Sequence, residues 1–557
     1  MNTKIEVYTP RNSIKVVTAT SLFDGHDAAI NIMRRILQDS GAEVVHIGHN
    51  RSAGEIVNAA IQEDAQGIAV SSYQGGHIEF FKYIVDLLKE NDASHIKVFG
   101  GGGGVIIPSE IRQLHDYGVA RIYSPEDGSK MGLQGMINDM LEKMDEPSVN
   151  PDQLDLERLN VHNPAMTAKF ITAIQEQSGL TGDRLDLILS NIKTTAADIN
   201  VPVIGLTGTG GAGKSSFADE LITRFLHDFP DIHIAVISCD PSRRKTGGAL
   251  LGDRIRMNAI ENKRVYMRSL ATRRSQTELP EVLPDAVNVV KAAGFDIIIV
   301  ETAGIGQGDS RIVDLVDLSV YVMTADFGAP SQLEKIDMLD YADMVVLNKY
   351  EKKGSEDALR DVRKQVQRNR KAFDQSPGTM PVFGTIASKF NDDGITAFYH
   401  ALLDLIESKK HIQYKSHLPK TDKKESSSKT IIIPGDRVRY LSEIAETIRE
   451  YHKTTDVQAK AVRSRGHLMY TLKAFEGRDD LSTQDVLTEL RKAVDDAAAG
   501  VDPETDRAID EFNNRKIRYQ QEELVYQVRG KEVRAPLFTH SLSHSKIPRI
   551  SIPRFDD

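Results

Sequence analysis

The segment that most constrains the fold is VPVIGLTGTGGAGKSSF, which begins at Val201. It consists of an apolar run ending at Gly208, a loop with the GxxxxGKS pattern, and a helical pattern. A P-loop in this strand–loop–helix context holds phosphate with its backbone N–H groups and with the N-terminus of the helix. The Lys214 ammonium can reach the β- and γ-phosphates, and the Ser215 hydroxyl can bind Mg²⁺. The segment therefore predicts an α/β domain that binds a nucleotide.

Five strand-then-helix units fill residues 1–145, with strands at IKVVTA, AEVVHIG, GIAVSS, IKVFG and ARIYS. This alternation predicts a parallel sheet, because parallel strands need crossover connections. Ligands bind such sheets at the carboxyl ends of the strands. The loop after the first strand carries Asp24 and His26, the loop after the third carries SSYQGGH, and the loop after the fourth carries glycines at 100–104. We therefore expect these three loops at one edge of the sheet.

Composition narrows the class of protein. The net charge of −10 over 557 residues argues against a nucleic-acid binder, which usually carries a basic surface. A single cysteine excludes an intramolecular disulfide framework and fits a reducing compartment. The N-terminus lacks the apolar stretch of a signal peptide, and no run approaches the roughly 20 apolar residues of a membrane span. We expect a multidomain cytoplasmic protein with no nucleic-acid or membrane partner.

The three loops of the N-terminal sheet resemble the cobalamin-binding domain of adenosylcobalamin-dependent mutases, whose signature is Asp-x-His-x-x-Gly, then Ser-x-Leu, then Gly-Gly. By that resemblance His26 is the lower ligand of cobalt, and Asp24 is the carboxylate that orients it; imidazole suits this metal and the carboxylate fixes its tautomer. Ala29 replaces the signature Gly and Tyr73 the Leu, and both concern the packing of the cofactor's nucleotide tail. The cofactor-binding residues implied are Asp24, His26, Ser71, Gly75, Gly76, Gly100 and Gly101.

Further motifs follow the P-loop: CDPSRRKTGGALLGD, IIIVETAG, VVLNKYE and GTIASKF. Their order resembles that of the metallochaperone-type P-loop GTPases that accompany methylmalonyl-CoA mutase and its relatives. The resemblance implies that Lys214 and Glu301 serve catalysis. It assigns Mg²⁺ to Ser215, Asp240, Asp253 and Glu301. It assigns GTP or GDP to Gly208, Gly210, Gly211, Ala212, Gly213, Lys214, Ser215, Ser216, Asn348, Lys349, Glu351, Ala387 and Ser388.

The basic triplet Arg243, Arg244 and Lys245 within the first of these motifs admits two interpretations. It is either a switch loop that contacts phosphate or a neighbouring domain, or a solvated run of cations. The sequence favours neither.

The remaining segments are predicted to link and to pack. The Lys/Ser-rich stretch YKSHLPKTDKKESSSKT cannot bury a core, so we expect a flexible linker there. From Asp436 onward the pattern is helical, with Val438, Leu441, Ile444 and Ile448 spaced for one face. Helices of this kind serve packing or dimerisation more often than catalysis.

The order of all these parts resembles the fused isobutyryl-CoA mutases, single-chain acyl-CoA mutases that carry their own G-protein chaperone. The resemblance implies adenosylcobalamin, GTP or GDP and Mg²⁺ as cofactors, a homodimer, and an adenosyltransferase that supplies the cofactor. The family's acyl-CoA-binding TIM barrel has no counterpart in the sequence pattern, so it is expected as a missing or separate part. The predicted domains are a flavodoxin/Rossmann-like cobalamin-binding domain at 1–145, a helical linker at 146–195, a P-loop GTPase α/β domain at 196–412, a flexible linker at 413–430, an α-helical linker or dimerisation region at 431–535, and a leader to the barrel at 536–557.

Two functions from different classes remain open at this point. The chain is either a GTP-hydrolysing chaperone fused to the cofactor domain of a carbon-skeleton mutase, or a regulatory module that senses cobalamin and signals to an unrelated partner. The trailing KIPRISIPRF segment favours the mutase, because a sensor needs no barrel leader. A kinase is weaker, since the sequence contains no catalytic-loop motif or acceptor-binding domain.

Glu351 generates a prediction about nucleotide choice. Guanine-reading motifs normally end in Asp, whose carboxylate accepts hydrogen bonds from the ring N–H and the exocyclic amine, and Glu351 offers the same acceptors one methylene further out. We expect Glu351→Asp to keep or improve the preference for GTP over ATP, measured as the ratio of kcat/KM values. Equal hydrolysis of GTP and ATP by the parent chain would contradict guanine recognition.

Overall fold

The computed structural model describes residues 5–149, 151–176, 183–243, 246–273, 279–302, 304, 310–327, 333–421, 423–427, 440–476, 481–528 and 531–553. Arg244 and Lys245 of the basic triplet, and Val438, lie outside the described residues. Contacts divide the chain into two units, Met1–Ile432 and Ile433–Asp557.

The first unit alternates strands with helices along the chain. Its strands are β1 (Lys15–Ser21), β2 (Glu43–Arg51), β3 (Gly67–Ser71), β4 (Lys97–Gly101), β5 (Arg121–Tyr123), β6 (Val203–Gly208), β7 (Ile234–Asp240), β8 (Ala249–Leu251), β9 (Val265–Ala271), β10 (Ile297–Glu301), β11 (Leu318–Met323), β12 (Met344–Asn348) and β13 (Val382–Thr385). Its helices are α1 (Ala28–Asp39), α2 (Ala53–Gln62), α3 (His77–Glu90), α4 (Pro108–Tyr117), α5 (Pro125–Met144), α6 (Pro164–Gln175), α7 (Asp183–Ala197), α8 (Lys214–Asp228), α9 (Leu283–Ala292), α10 (Ile312–Leu315), α11 (Met338–Tyr341), α12 (Ser355–Asn369) and α13 (Asp393–Lys410).

The N-terminal sheet is parallel throughout, with the strand order β5-β4-β3-β1-β2-β8. Its first five strands give the order of a flavodoxin-like fold, which confirms the predicted α/β class. Every residue of β1 is buried, as expected of a strand covered by helices on both faces. Because β1, β3 and β4 are neighbours, their carboxyl ends bring the three predicted ligand loops together.

The second sheet is also parallel, with the order β13-β12-β11-β6-β10-β7-β9. The P-loop follows its central strand β6, and β7 and β10 end nearby. Two apolar clusters cover the two faces of this sheet. Phe170 of α6 and Ile192 of α7 belong to one of them. The predicted linker at 146–195 is therefore part of this domain's core, because its apolar residues face the second sheet.

One strand of the second domain lies in the first sheet. β8 comes from the segment between β7 and β9, yet it pairs in parallel with β2, where Leu250 stands opposite Val44. A strand of only three residues gives no readable sequence pattern. The two domains are therefore joined by backbone pairing that sequence analysis did not predict.

A buried ion cluster also joins the two domains. The fully buried Glu63 carboxylate, just after α2, accepts hydrogen bonds from the Lys15 ammonium at 3.1 Å and from the Ser269 hydroxyl at 2.8 Å. Arg254, which is 3% exposed, donates to Glu63 at 3.4 Å and to Gln62 at 3.0 Å. Lys15 and Glu63 belong to the first sheet and its helices, whereas Arg254 and Ser269 come from the second domain. Neither domain alone completes the cluster.

The segment predicted as a flexible linker, 413–430, is held against the second domain over part of its length. The Ser426 N–H donates to the Gly384 carbonyl at 2.8 Å, and the Ser426 hydroxyl donates to the buried Asp392 carboxylate. Glu425 accepts a hydrogen bond of 2.9 Å from Arg363. These polar contacts, together with Tyr414 and Leu418 packed against an apolar cluster of the second domain, hold part of the predicted linker on that domain.

The second unit contains helices followed by short strands. These are α14 (Tyr440–Phe475), α15 (Leu481–Ala499), α16 (Pro503–Tyr519), β14 (Glu523–Val528), β15 (Lys531–Pro536), β16 (Phe538–His540) and β17 (Lys546–Pro548). β14 and β15 form an antiparallel pair, so the helical prediction for 431–535 is corrected at its end, where β-branched and aromatic residues favour strands. None of the described helices is long and apolar enough to cross a membrane.

Candidate functional site

Asp24 and His26 form a hydrogen-bonded pair beyond the end of β1. The fully buried Asp24 carboxylate accepts a hydrogen bond of 2.8 Å from Nδ1 of His26, and its other oxygen accepts from the Tyr73 N–H at 2.6 Å. An ionised carboxylate only accepts, so Nδ1 carries the proton and the Nε2 lone pair is available to a metal. The His26 side chain is 68% exposed, which makes Nε2 accessible.

The pKa of the Asp24 carboxyl lies below its usual range. Burial acts to raise this pKa, but hydrogen bonds from the Tyr73 and His26 N–H groups and from the His26 ring outweigh it. Asp24 therefore stays ionised at neutral pH. An ionised carboxylate behind an imidazole raises its basicity as a metal ligand.

An apolar cavity of about 350 Å³ lies at the ends of β3 and β4. Ser71, Tyr73, Gly100 and Gly101 line it, and the buried Ser71 hydroxyl has no hydrogen-bond partner in the described part of the chain. Helices α1 and α5 supply apolar wall residues: Ile30, Met33, Leu37, Leu133, Met136 and Met140. A large apolar space with one unpaired hydroxyl fits the aromatic nucleotide tail of cobalamin.

The glycine run after β4 allows this loop to approach β3. A Cβ at Gly102 would lie 2.0 Å from the Ser72 carbonyl oxygen, so a side chain there would force the two loops apart. Gly102 and Gly103 also line the cavity. The backbone geometry therefore explains why glycines follow β4.

Gly75 and Gly76 lie apart from this cavity. They line a neighbouring one, also of about 350 Å³, together with Phe23 and His77. Gly76 adopts a left-handed φ of +83° directly before α3. The structure thus places the two glycines at a helix start beside the candidate cobalt ligand's loop, while Ser71, Gly100 and Gly101 line the larger apolar wall.

Sequence reasoning missed several residues of this site. The Tyr73 N–H, which holds Asp24, is a backbone contact that no sequence motif reports. Met136 and Met140 of α5 both belong to an apolar core cluster and line the cavity, and helical periodicity does not distinguish these two roles. His77, which the SSYQGGH motif already placed at this edge of the sheet, lies 3.0 Å from the Glu110 carboxylate, a partner that the sequence did not indicate.

The P-loop positions Lys214 and Ser215 at the start of α8. Gly211 and Gly213 take left-handed φ values of +75° and +90°, which turn the loop around a concave row of N–H groups. The buried Lys214 ammonium donates to the Gly208 carbonyl at 3.1 Å. Burial lowers the pKa of Lys214, while the nearby Glu301 carboxylate opposes this change.

Carboxylates gather around the Ser215 hydroxyl. This hydroxyl donates to Glu301 at 2.7 Å and has an Asp253 oxygen at 3.2 Å. Asp253 also accepts from the Ser238 hydroxyl at 2.7 Å. Asp240 and Glu301 each keep one buried oxygen without a hydrogen-bond partner among the described residues. Unpaired buried carboxylate oxygens beside a P-loop are the donor set that a hard divalent cation prefers.

Electrostatics at this cluster favour a cation. Burial, together with the neighbouring Asp253 carboxylate, raises the pKa values of Glu301 and Asp240 to about 8. No three His, Cys, Asp or Glu side chains in the described ranges could hold a metal ion by themselves. Mg²⁺ typically takes only one or two carboxylates and completes its shell with phosphate and water. Ser215 with Asp253 and Glu301 could therefore hold Mg²⁺ beside a bound nucleotide.

Asn348 connects the predicted base-reading loops to the P-loop. Its buried amide donates to the Ala212 carbonyl at 2.8 Å and accepts from the Ala387 N–H at 3.0 Å. Lys349, half-buried, has a left-handed φ of +57°, while Glu351 and Ser388 are exposed. The structure thus brings Asn348 and Ala387 beside the P-loop residue Ala212, where a purine base could lie.

Comparison with known proteins identifies relatives of both domains. The family described as "Methylmalonyl Co-A mutase-associated GTPase MeaB" matches residues 167–471, and the B12 binding domain family matches residues 14–126. Among solved structures, a LAO/AO transport system kinase aligns with a TM-score of 0.35 at 18% identity, covering 62% of this chain and 99% of that one.

Longer relatives match almost the whole chain. The fused isobutyryl-CoA mutase of Geobacillus kaustophilus is 52% identical over 99% of this chain and 51% of its own length. The fused isobutyryl-CoA mutase of Cupriavidus metallidurans is 50% identical over 98% of this chain and 49% of its own length. The resemblance predicted from the order of motifs is confirmed, and the chain spans about half the length of these relatives.

The Asp24–His26 geometry predicts the behaviour of two variants. His26→Ala should remove the histidine-ligated visible spectrum of bound cobalamin, because it removes Nε2. Asp24→Asn should weaken binding by about 10- to 100-fold, the range usual for partners of a metal-ligating histidine. Absorbance titration measures both, with the exposed His227→Ala as a control that should match the parent. An unchanged spectrum in His26→Ala would contradict the assignment.

The Ser215 cluster predicts a split between nucleotide binding and turnover. Lys214→Ala should lose nucleotide binding, because the loop loses its cation for phosphate. Glu301→Ala should keep much of the binding but lose turnover by about 10²-fold, since the carboxylate acts on the metal or the attacking water. Equilibrium binding of labelled GDP and phosphate release measure the two effects. Glu407→Ala on α13 is the control; equal losses in it and in Glu301→Ala would reject the role.

Proposed function

The chain belongs to the methylmalonyl-CoA mutase-associated GTPase MeaB family, and from this premise we propose that it is the adenosylcobalamin-binding, GTP-hydrolysing chaperone portion of a fused isobutyryl-CoA mutase. It joins a B12-binding domain to a GTPase domain of this family. The observation that carries the proposal is the Asp24–His26 pair with its accessible Nε2. The His26 ring centroid lies 5.6 Å from that of Tyr73, which lines the apolar cavity.

The residues present fit cobalamin, so their roles can be stated. His26 would hold cobalt through Nε2, Asp24 would fix the ring, and Ser71 would donate its unpaired hydroxyl to the nucleotide tail inside the cavity. When bound, adenosylcobalamin supplies a cobalt–carbon bond whose homolysis begins carbon-skeleton rearrangements. Gly102 and Gly103, which line the cavity, would leave room for that tail.

The nucleotide site fits GTP hydrolysis with Mg²⁺. The P-loop N–H groups and Lys214 would hold the phosphates, and Ser215 with Asp253 and Glu301 would hold the cation. A divalent cation there would stabilise the ionised carboxylates, whose pKa values are raised without it. The ionised Glu301 would position Mg²⁺ or the attacking water.

We further propose three partners: an acyl-CoA-binding barrel, a second copy of this chain and an adenosyltransferase. The reversible isobutyryl-CoA/n-butyryl-CoA rearrangement requires an acyl-CoA-binding barrel, as another part of a longer protein or as a separate chain. The exposed apolar side chains of α14, such as Ile448 and Tyr451, suit a homodimer. An adenosyltransferase would supply the cofactor, in the cytoplasm, where GTP is available.

The proposed function predicts a division of labour. Within the described residues, the two parallel sheets have six and seven strands, and neither is the eight-stranded barrel of an acyl-CoA mutase. The 557-residue chain should therefore bind cobalamin and hydrolyse GTP but should not isomerise isobutyryl-CoA. Adding the barrel half of a fused isobutyryl-CoA mutase should restore isomerisation, because the barrel excludes water from the reacting centre.

Controls make this result interpretable. Chain with His26→Ala plus barrel should remain inactive, and barrel plus cobalamin without the chain should also be inactive, as measured by chromatography of the acyl-CoA products. Isomerisation by the chain alone would overturn the need for a barrel. Binding of neither cobalamin nor GTP by the chain would overturn the proposed function itself.

A further inference from the structure

The loop between β1 and α1 carries the candidate cobalt ligand but is held by little apolar packing. We call residues 22–27 the ligand loop. The Phe23 side chain is 80% exposed, and a Cβ at Gly25 would meet no atom within 4 Å. The His26 side chain is also exposed. Polar contacts therefore have to fix the conformation of this loop.

The backbone of the ligand loop is strained at Phe23. Its φ of +62° lies in the left-handed region, which bulky side chains rarely adopt. Such a conformation persists only where the surrounding structure holds it, and it is found preferentially at functional sites. Because Phe23 directly precedes Asp24, the contacts that hold Phe23 also set the direction of the Asp24 backbone.

Asn50, near the end of β2, contacts the ligand loop on both sides of this strained residue. Its side-chain oxygen accepts a hydrogen bond of 2.7 Å from the Phe23 N–H. Its own N–H donates to the Thr20 hydroxyl at 3.2 Å, and that hydroxyl donates to the Asp24 carbonyl at 3.2 Å. Asn50 therefore holds the peptide group before Phe23 directly and the peptide group after Asp24 through Thr20.

The position of Asp24 in turn decides the position of the imidazole. One Asp24 carboxylate oxygen accepts a hydrogen bond from the His26 N–H at 2.9 Å and another from Nδ1 of the same residue at 2.8 Å. The first of these bonds closes a tight turn of the backbone, and the second fixes the ring. A rotation of the backbone at Phe23 and Asp24 would move this oxygen away from Nδ1. The orientation of the candidate cobalt ligand therefore depends on the contacts that Asn50 makes.

The residue type of Asn50 matches this role. Asn50 itself has a left-handed φ of +56°, a conformation that asparagine and aspartate tolerate better than most other side chains. Glycine also tolerates this φ but offers no side-chain acceptor. The site of Asn50 therefore needs both a permissive backbone and a short side chain with an oxygen that can accept the Phe23 N–H.

We propose that Asn50 is a positioning residue for the cobalt ligand: by holding the ligand loop at Phe23 and Asp24, it keeps the Asp24 carboxylate on Nδ1 of His26 and directs Nε2 toward the metal. The inference rests on the proposed function, because it concerns the binding of cobalamin. Loss of the Asn50 acceptor weakens cobalamin binding by about 2- to 10-fold, which corresponds to the net effect of one hydrogen bond. It also lowers the fraction of bound cobalamin that is ligated by histidine.

Two variants of Asn50 separate its acceptor from its backbone conformation. Asn50→Gly keeps the left-handed φ without steric cost but removes the acceptor, so the Kd for adenosylcobalamin should rise. Asn50→Asp keeps both features and should bind like the parent. Absorbance titration of the full chain measures these Kd values. The matched control is Asn391→Gly, which should also match the parent: Asn391 is an exposed asparagine with a left-handed φ of +52°, and its side chain makes no hydrogen bond within the described part of the chain.

The electron paramagnetic resonance spectrum of bound cob(II)alamin measures the histidine-ligated fraction. Labelling the histidines of the chain with the heavy isotope of nitrogen changes the splitting caused by a ligand nitrogen from three lines to two, and so distinguishes a histidine ligand from the cofactor's own base. We expect the two-line fraction to fall in Asn50→Gly and to recover in Asn50→Asp. A merely structural role would lower the melting temperature of Asn50→Gly and leave the two-line fraction at the parent value, which would overturn the positioning role.

A measurement without cobalamin separates this inference from the proposed function. Nuclear magnetic resonance of the same labelled histidines reports which ring nitrogen of His26 carries the proton, and the His26 signal is identified by its absence in His26→Ala. We expect the Nδ1-protonated form to predominate in the parent and in Asn50→Asp, and to lose this predominance in Asn50→Gly. If the parent chain binds no cobalamin, the proposed function fails, and the cobalt role of Asn50 fails with it. If the parent binds cobalamin and Asn50→Gly equals it in Kd, two-line fraction and ring protonation, the positioning role alone is overturned.

Discussion

The Glu63 carboxylate is a buried charge that only the two domains together can satisfy. Burial acts to raise its pKa, but Lys15 from β1 and Arg254 and Arg268 from the second domain hold the pKa below its usual range. Losing one partner of a buried ion pair typically costs about 3–5 kcal/mol, because the other charge is left without compensation. Separation of the domains would leave several buried charges without partners. The cluster therefore favours the arrangement in which β8 pairs with β2. It also fixes Arg254, and with it the neighbouring Asp253.

Most of the fold could be predicted because the chain repeats simple patterns. Five apolar runs alternating with helices permit few arrangements other than a parallel sheet, and the loop geometry of the GxxxxGKS segment leaves little freedom around Lys214 and Ser215. The ends of β1, β3 and β4 then place Asp24, His26, Ser71 and Gly101 at one edge without any knowledge of packing. At these positions the structure predicted from the strand-and-helix pattern is the one that the whole fold adopts, as expected where a site is built on strand ends.

The features that could not be predicted depend on partners distant in the chain. β8 pairs with β2, and Ser426 donates to the Asp392 carboxylate and to the Gly384 carbonyl, all partners far from them in the sequence. The Tyr73 N–H holds Asp24 although a backbone group carries no sequence signal. The helical prediction for 431–535 includes the strand Glu523–Val528, because the polar residues after α16 give no signal for the end of the helix. In each case tertiary contacts decided a structure that local propensity left open.

The position of β8 has a consequence for solubility. In the parallel sheet β2 would be an outer strand, and an outer strand exposes a row of unpaired N–H and C=O groups that can template pairing with another chain. The second domain covers the Glu43–Val45 part of that edge with its own three-residue strand. A fragment ending near residue 145 would uncover it, together with the Glu63 and Lys15 charges, and would invite self-association. The GTPase domain thus covers part of a sheet edge that would otherwise be open to pairing with another chain.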